Sequence, residues 1–142
     1  MLATQGQAVA SDFPRVVAWV RQRYPFSRVH GDEVRLVMAF GEGADALRVR
    51  VRVRQGRDSV TVIAELGDTS LDPIAALRWN AQLPLGALAL VGTSYVLWAA
   101  VPDASPAHLE RAIQAVSGGV AEIRRRERRT AVDGTAFLNY AD

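Results

Sequence analysis

The chain has 142 residues, 49% of them apolar and 23% charged, with a formal net charge of +2 and no cysteine. That length and balance predict one globular domain able to bury roughly two thirds of its unfolded surface. The lack of cysteine excludes disulfides, thiol nucleophiles and thiolate metal sites, and His30 and His108 cannot assemble a zinc site alone, so no metal or other cofactor is expected.

The basic charge is local. Segment 124–129, RRRERR, carries five Arg against Glu127, while the remainder has twelve Arg against fourteen carboxylates. Every cation is Arg and none is Lys, which reads as the codon bias of a high-GC genome. The N-terminal stretch lacks a positively charged region ahead of a sustained apolar core, so no secretory signal is expected. Pro84, Gly86 and Gly92 break the longest apolar run before it reaches membrane-spanning length. A cytoplasmic location without a membrane partner follows as an expectation.

Residues 1–11 are expected to form a loose N-terminal tail, 12–129 a single domain, and 130–142 a C-terminal tail. Ser11, Asp12 and Pro14 supply a helix start, and Phe13, Val16, Val17, Val20 and Tyr24 recur at spacings of three and four. A first helix over about 12–24 is predicted, ending at Pro25.

From Glu33 to Leu66 the period changes to two. Val34, Leu36, Met38 and Phe40 alternate through the first strand. In the second, Leu47, Val49, Val51 and Val53 face one way and Arg48, Arg50, Arg52 and Arg54 the other; Val60, Val62, Ala64 and Leu66 mark the third. Short Gly-containing turns join the three into an antiparallel meander whose Arg face must be wet or paired with acids.

After Gly67-Asp68-Thr69-Ser70, a short helix over about 71–82 is predicted, with Ile74, Leu77, Ala81 and Trp79 as its contact residues, stopped by Leu83-Pro84. A hairpin follows, Gly86–Val91 and Ser94–Val101, turning at Gly92-Thr93. Ser105-Pro106 then opens a last helix with an apolar stripe of Leu109, Ala112, Ile113, Val116, Val120 and Ile123. Gly118-Gly119 inside it imply a bend or a close neighbour. RRRERR suits the helix's C-terminal end. The residues beyond it form either a free tail or a docking segment, and Phe137, Leu138 and Tyr140 favour docking. The predicted fold is α+β, a five-stranded antiparallel sheet with three helices in the order α-βββ-α-ββ-α.

This order, with NAQLPLGALAL leading into a hairpin and VPDASPAHLERAIQAV opening the final helix, resembles the YbjN and type III secretion chaperone-like family over residues 12–127. The resemblance implies a homodimer that binds a client peptide or protein, the second helix and following strand forming the dimer contact. It puts Trp79, Leu83, Leu85 and Leu88 in that contact. The residues themselves add Leu90 and Trp98, because the hairpin is apolar on both faces and so needs cover on both, from within the chain or from a partner.

No catalytic constellation emerges, and an enzyme is not expected. Gly41-Glu42-Gly43 lacks the context of a dinucleotide fingerprint, His30 and His108 have no evident partner, Glu42 and Asp45 belong to a loop, and Thr93 and Ser94 sit in a hairpin turn. The Arg stripe, spaced about 6.6–6.8 Å between successive side chains, is expected to meet an acidic or amphipathic client segment. The peptide-binding residues are then Trp19, Tyr24, Arg48, Arg50 and Arg52. Nucleic acid is the alternative occupant; against it stands the absence of any aromatic residue between 41 and 78.

Overall fold

The computed structural model describes residues 12–67 and 71–141, with side chains as far as Glu127. Helix α1 spans Phe13–Arg23 and turns Phe13, Val16 and Val20 into the core. At its end the Tyr24 backbone N–H donates to the Val20 carbonyl, and Pro25 prevents another turn. Strands β1 (Arg28–His30), β2 (Glu33–Phe40), β3 (Leu47–Gln55), β4 (Val60–Glu65), β5 (Ala87–Val91) and β6 (Ser94–Val101) form one sheet. Every neighbouring pair in it is antiparallel, in the order β1-β2-β3-β4-β6-β5.

The α+β architecture with three helices is as expected, but the sheet has six strands rather than five. The added strand, β1, is too short to show a period of two. It forms because Gly31, at φ 60°, turns the chain back so that His30 pairs with Glu33 and Arg28 with Arg35. β5 pairs with β6 alone, which leaves it at the edge.

Helix α2 spans Pro73–Gln82 and is capped by Asp72, whose Oδ1 accepts from the Ala75 N–H at 2.9 Å. Its expected contact face is corrected. Trp79 is buried as expected, with Ala76 beside it, whereas Ile74, Leu77 and Ala81 point outward. Helix α3 runs from Pro106 to Ala141, so RRRERR lies within the helix and not at its end. No proline interrupts the stretch after Arg129, and the one glycine there, Gly134, costs only about 1 kcal/mol against alanine. The expected N-terminal tail, the Ser11 cap and the side chains of Phe137, Leu138 and Tyr140 lie outside the described residues.

One face of the sheet carries the core. Val34, Leu36, Val49, Val51, Val53, Val60, Val62, Leu97, Ala99 and Val101 are buried there, with α1 and the α3 stripe Leu109, Ile113, Val116, Val120 and Ile123 in the same cluster. Gly119 is explained by this packing, because the Leu97 and Leu83 side chains press against it. Arg23 of α1 reaches Glu110 of α3 at 3.0 Å and ties the two helices together. The opposite face of the sheet, away from this core, holds the candidate site.

Candidate functional site

Strand register sets what that outer face presents. Arg28 pairs with Arg35, Arg35 with Arg52, Arg52 with Ile63, Ile63 with Trp98 and Trp98 with Ala87. A single row across the sheet therefore passes from three guanidinium groups to three apolar side chains. The face is divided into a cationic half on β1–β3 and an apolar half on β6 and β5.

Cross-strand like charges repel, and acids offset part of the cost. Glu33 is a buried carboxylate, 8% exposed, with Oε2 3.5 Å from Arg35 Nε and 3.9 Å from Arg52 Nε. Arg52 Nε is also 3.8 Å from Glu65, and Arg54 Nε lies 3.6 Å from Asp32. The Arg stripe is thus both wet and paired, and Arg52 is held between two carboxylates. Among the described residues, Arg28, Arg48 and Arg50 make no ion pair. Paired register between β3 and β4 runs only from Val51 onward, and the Arg48 carbonyl beyond it accepts from Arg124 Nη1 at 2.7 Å.

The turn after α1 borders this surface. Tyr24, Pro25, Phe26 and Ser27 line an open groove of ≈ 1210 Å³ together with Arg28, Arg35, Arg48, Arg50 and Arg52. Phe26 is 96% exposed, so the helix-ending proline has delivered an aromatic ring to the edge of the cationic surface. Tyr24 is half-buried, edge-on to Trp19 at 6.3 Å between ring centroids, with the Arg23 guanidinium 5.3 Å from its own centroid. Burial raises the Tyr24 pKa above 10.0, partly opposed by Arg23 and reinforced by Glu110. The Tyr24 hydroxyl and the Ser27 Oγ, both buried, have no hydrogen-bond partner among the described residues.

Of the peptide-binding residues expected from sequence, Tyr24, Arg48, Arg50 and Arg52 come together on this groove. Trp19 is half-buried against the core and reaches the groove only through Tyr24. Phe26 was missed, because an aromatic that follows a proline and precedes a three-residue strand belongs to no periodic pattern.

The residues expected at a dimer contact are dispersed by burial. Trp79 and Leu88, each 9% exposed, belong to the chain's own core, while Leu83 is half-buried against it. Trp79 Nε1 donates to Glu127 Oε1 at 3.3 Å, and the Arg126 guanidinium stands 5.0 Å over the ring, so RRRERR helps to cover α2. Leu85, Leu90 and Trp98 are exposed. Leu90 has the strand parity of Leu88 on the core side of the sheet, Trp98 lies on the outer face with Ile63, and on α2 Ile74 and Leu77 are 63% and 69% exposed. Asn80 Oδ1 accepts from the Leu88 N–H at 2.7 Å and binds α2 to the edge strand.

His30 is exposed on the groove, and His108 Nδ1 lies 3.3 Å from Asp103. Glu42 and Asp45 are exposed. Among the described residues no three His, Asp or Glu are placed to hold a metal ion, and no helix is long and apolar enough to cross a membrane.

Fold and surfaces together define an α+β protein with a six-stranded antiparallel sheet, one face of which is an Arg-lined groove that gives way to apolar side chains. No family model, curated protein or solved structure matches the chain.

Proposed function

We propose that the chain is a non-enzymatic, homodimeric peptide- or protein-binding domain, chaperone-like in the manner of the YbjN and type III secretion chaperone-like family, acting in the cytoplasm without a cofactor. One observation carries this reading: Ile74 and Leu77 stand out from α2, on the helix that packs against the sheet-edge strand β5, where Leu90 is also exposed. An amphipathic helix turns its apolar side toward cover. Here one apolar side already covers β5, and the second is served by another copy of the chain.

Light scattering at tens of micromolar is expected to give twice the chain mass, and Leu77→Arg to give the mass of one chain. A strictly monomeric wild-type protein would end the dimer reading. Leu88→Arg, which sequence alone recommends, is a poorer test because Leu88 is buried and its loss damages the monomer.

A second reading, nucleic-acid binding through the Arg-lined face, is favoured by Phe26. The aromatic group that the strand sequence lacks is supplied to the groove by the turn after α1. Self-association through α2 is compatible with either occupant of the groove.

A further inference from the structure

We propose that the groove binds single-stranded nucleic acid, with Arg28, Arg48 and Arg50 contacting phosphates and Phe26 serving as the platform on which a base stacks. This rests on the second reading above and narrows it to one kind of nucleic acid and one mode of contact.

Four observations carry it. The residues lining the groove include seven Arg and one carboxylate, Glu65, which is engaged with Arg52. Arg28, Arg48 and Arg50 keep their charge uncompensated by any ion pair among the described residues, so phosphates would neutralise cations that no internal acid already serves. Phe26 is an almost fully exposed ring beside these cations, and its exposure has no use in the fold. Ser27, 5% exposed, lines the same groove with an Oγ that has no hydrogen-bond partner among the described residues.

The ligand class follows from this chemistry. A volume of ≈ 1210 Å³ in an open groove exceeds the roughly 300–1,000 Å³ of small-molecule pockets and suits an extended chain. A peptide of acidic residues alone would use the guanidinium groups but not the ring. A duplex keeps its base faces stacked on each other and offers Phe26 nothing. A single strand uses both, because its phosphates track a positive groove while its unstacked bases lie on an aromatic face.

The experiment is fluorescence anisotropy of the full chain with labelled oligothymidylate and oligouridylate, each about 12 nucleotides long, within the usual span of such sites. Binding at low salt is expected to weaken with log[salt] at a slope near −2, from about 0.7 per phosphate and three cations. Arg48→Ala with Arg50→Ala should flatten that slope to about −0.7. Phe26→Ala should weaken binding about five- to a hundredfold at unchanged slope, the loss of one stacked base. All three residues are exposed, and unchanged melting temperatures would confirm that the variants fold. Equal affinity for a duplex of the same length, with no effect of Phe26→Ala, would overturn the single-strand proposal while leaving the nucleic-acid reading intact. No binding of any oligonucleotide at low salt would remove both. Displacement of the labelled strand by polyglutamate at equal charge would assign the groove to acidic peptides and overturn the proposal.

Discussion

A methyl group placed on Gly119 would lie 2.6 Å from Leu97 Cδ2 and 3.4 Å from Leu83 Cδ2, whereas one on Gly118 would meet only Phe40 Cε1, at 4.0 Å. The two neighbours are therefore opposite cases. Gly118→Ala is expected to stabilise the protein by about 1 kcal/mol, the difference in helix propensity. Gly119→Ala must displace fully buried Leu97, and overpacking of about 1–3 kcal/mol cancels or outweighs the same gain. Urea unfolding of the two variants checks the contrast. Tyr24 behaves differently, since its environment and not its size is at issue. Burial raises its pKa in the folded protein, so the fold holds the phenol proton more tightly than the unfolded chain does. That contribution is complete below the unfolded value of about 10 and is lost as pH rises through the folded one. Tyr24→Phe should be close to neutral near pH 7, because the hydroxyl has no partner to lose, and should reduce the alkaline fall in melting temperature.

At the scale of elements, α2 is where sequence and structure diverge most. Of the contact residues expected on it, Ile74, Leu77, Ala81 and Trp79, α2 buries only Trp79, together with Ala76. The reason lies in partners remote in sequence. Trp79 finds Glu127 for its N–H and Arg126 for its ring, both from α3, while Asn80 is engaged by the backbone of β5. Asn80→Ala is expected to cost about 1–3 kcal/mol, because the Leu88 N–H at the sheet edge would lose its acceptor; thermal unfolding measures this. Strand β3, by contrast, was readable in full. Its alternation of aliphatic and Arg residues is so regular that only one face could enter the core. The candidate groove was legible in part for the same reason: Arg48, Arg50 and Arg52 were identifiable from one strand. Phe26 and the short strand β1 were not, because no local period marks them.

For the whole molecule, the proposed dimer makes stability depend on concentration. A melting temperature that rises with protein concentration is expected for the wild-type chain, and Leu77→Arg should abolish that dependence. The charge distribution also becomes intelligible only at this scale. In sequence the basic excess belongs to RRRERR, with the rest of the chain mildly acidic. Folding uses part of that segment internally, with Arg124 on the Arg48 carbonyl and Arg126 over Trp79. Of the groove-lining arginines without an ion pair among the described residues, Arg124 comes from that segment, while Arg28, Arg48 and Arg50 lie in the part of the chain with no net basic character.

By itself, then, the sequence determined the α+β class, three helices, the five longer strands and the aliphatic faces that form the core. Each of these depends on a local period or a terminating Pro or Gly, and local backbone geometry expresses such signals directly. Tertiary structure alone decided the sixth strand, the outward turn of Ile74 and Leu77, the pairing of individual arginines with acids, and the arrival of Phe26 beside the cations. Those outcomes depend on which distant groups meet and compete for burial, and no local pattern encodes the result of that competition.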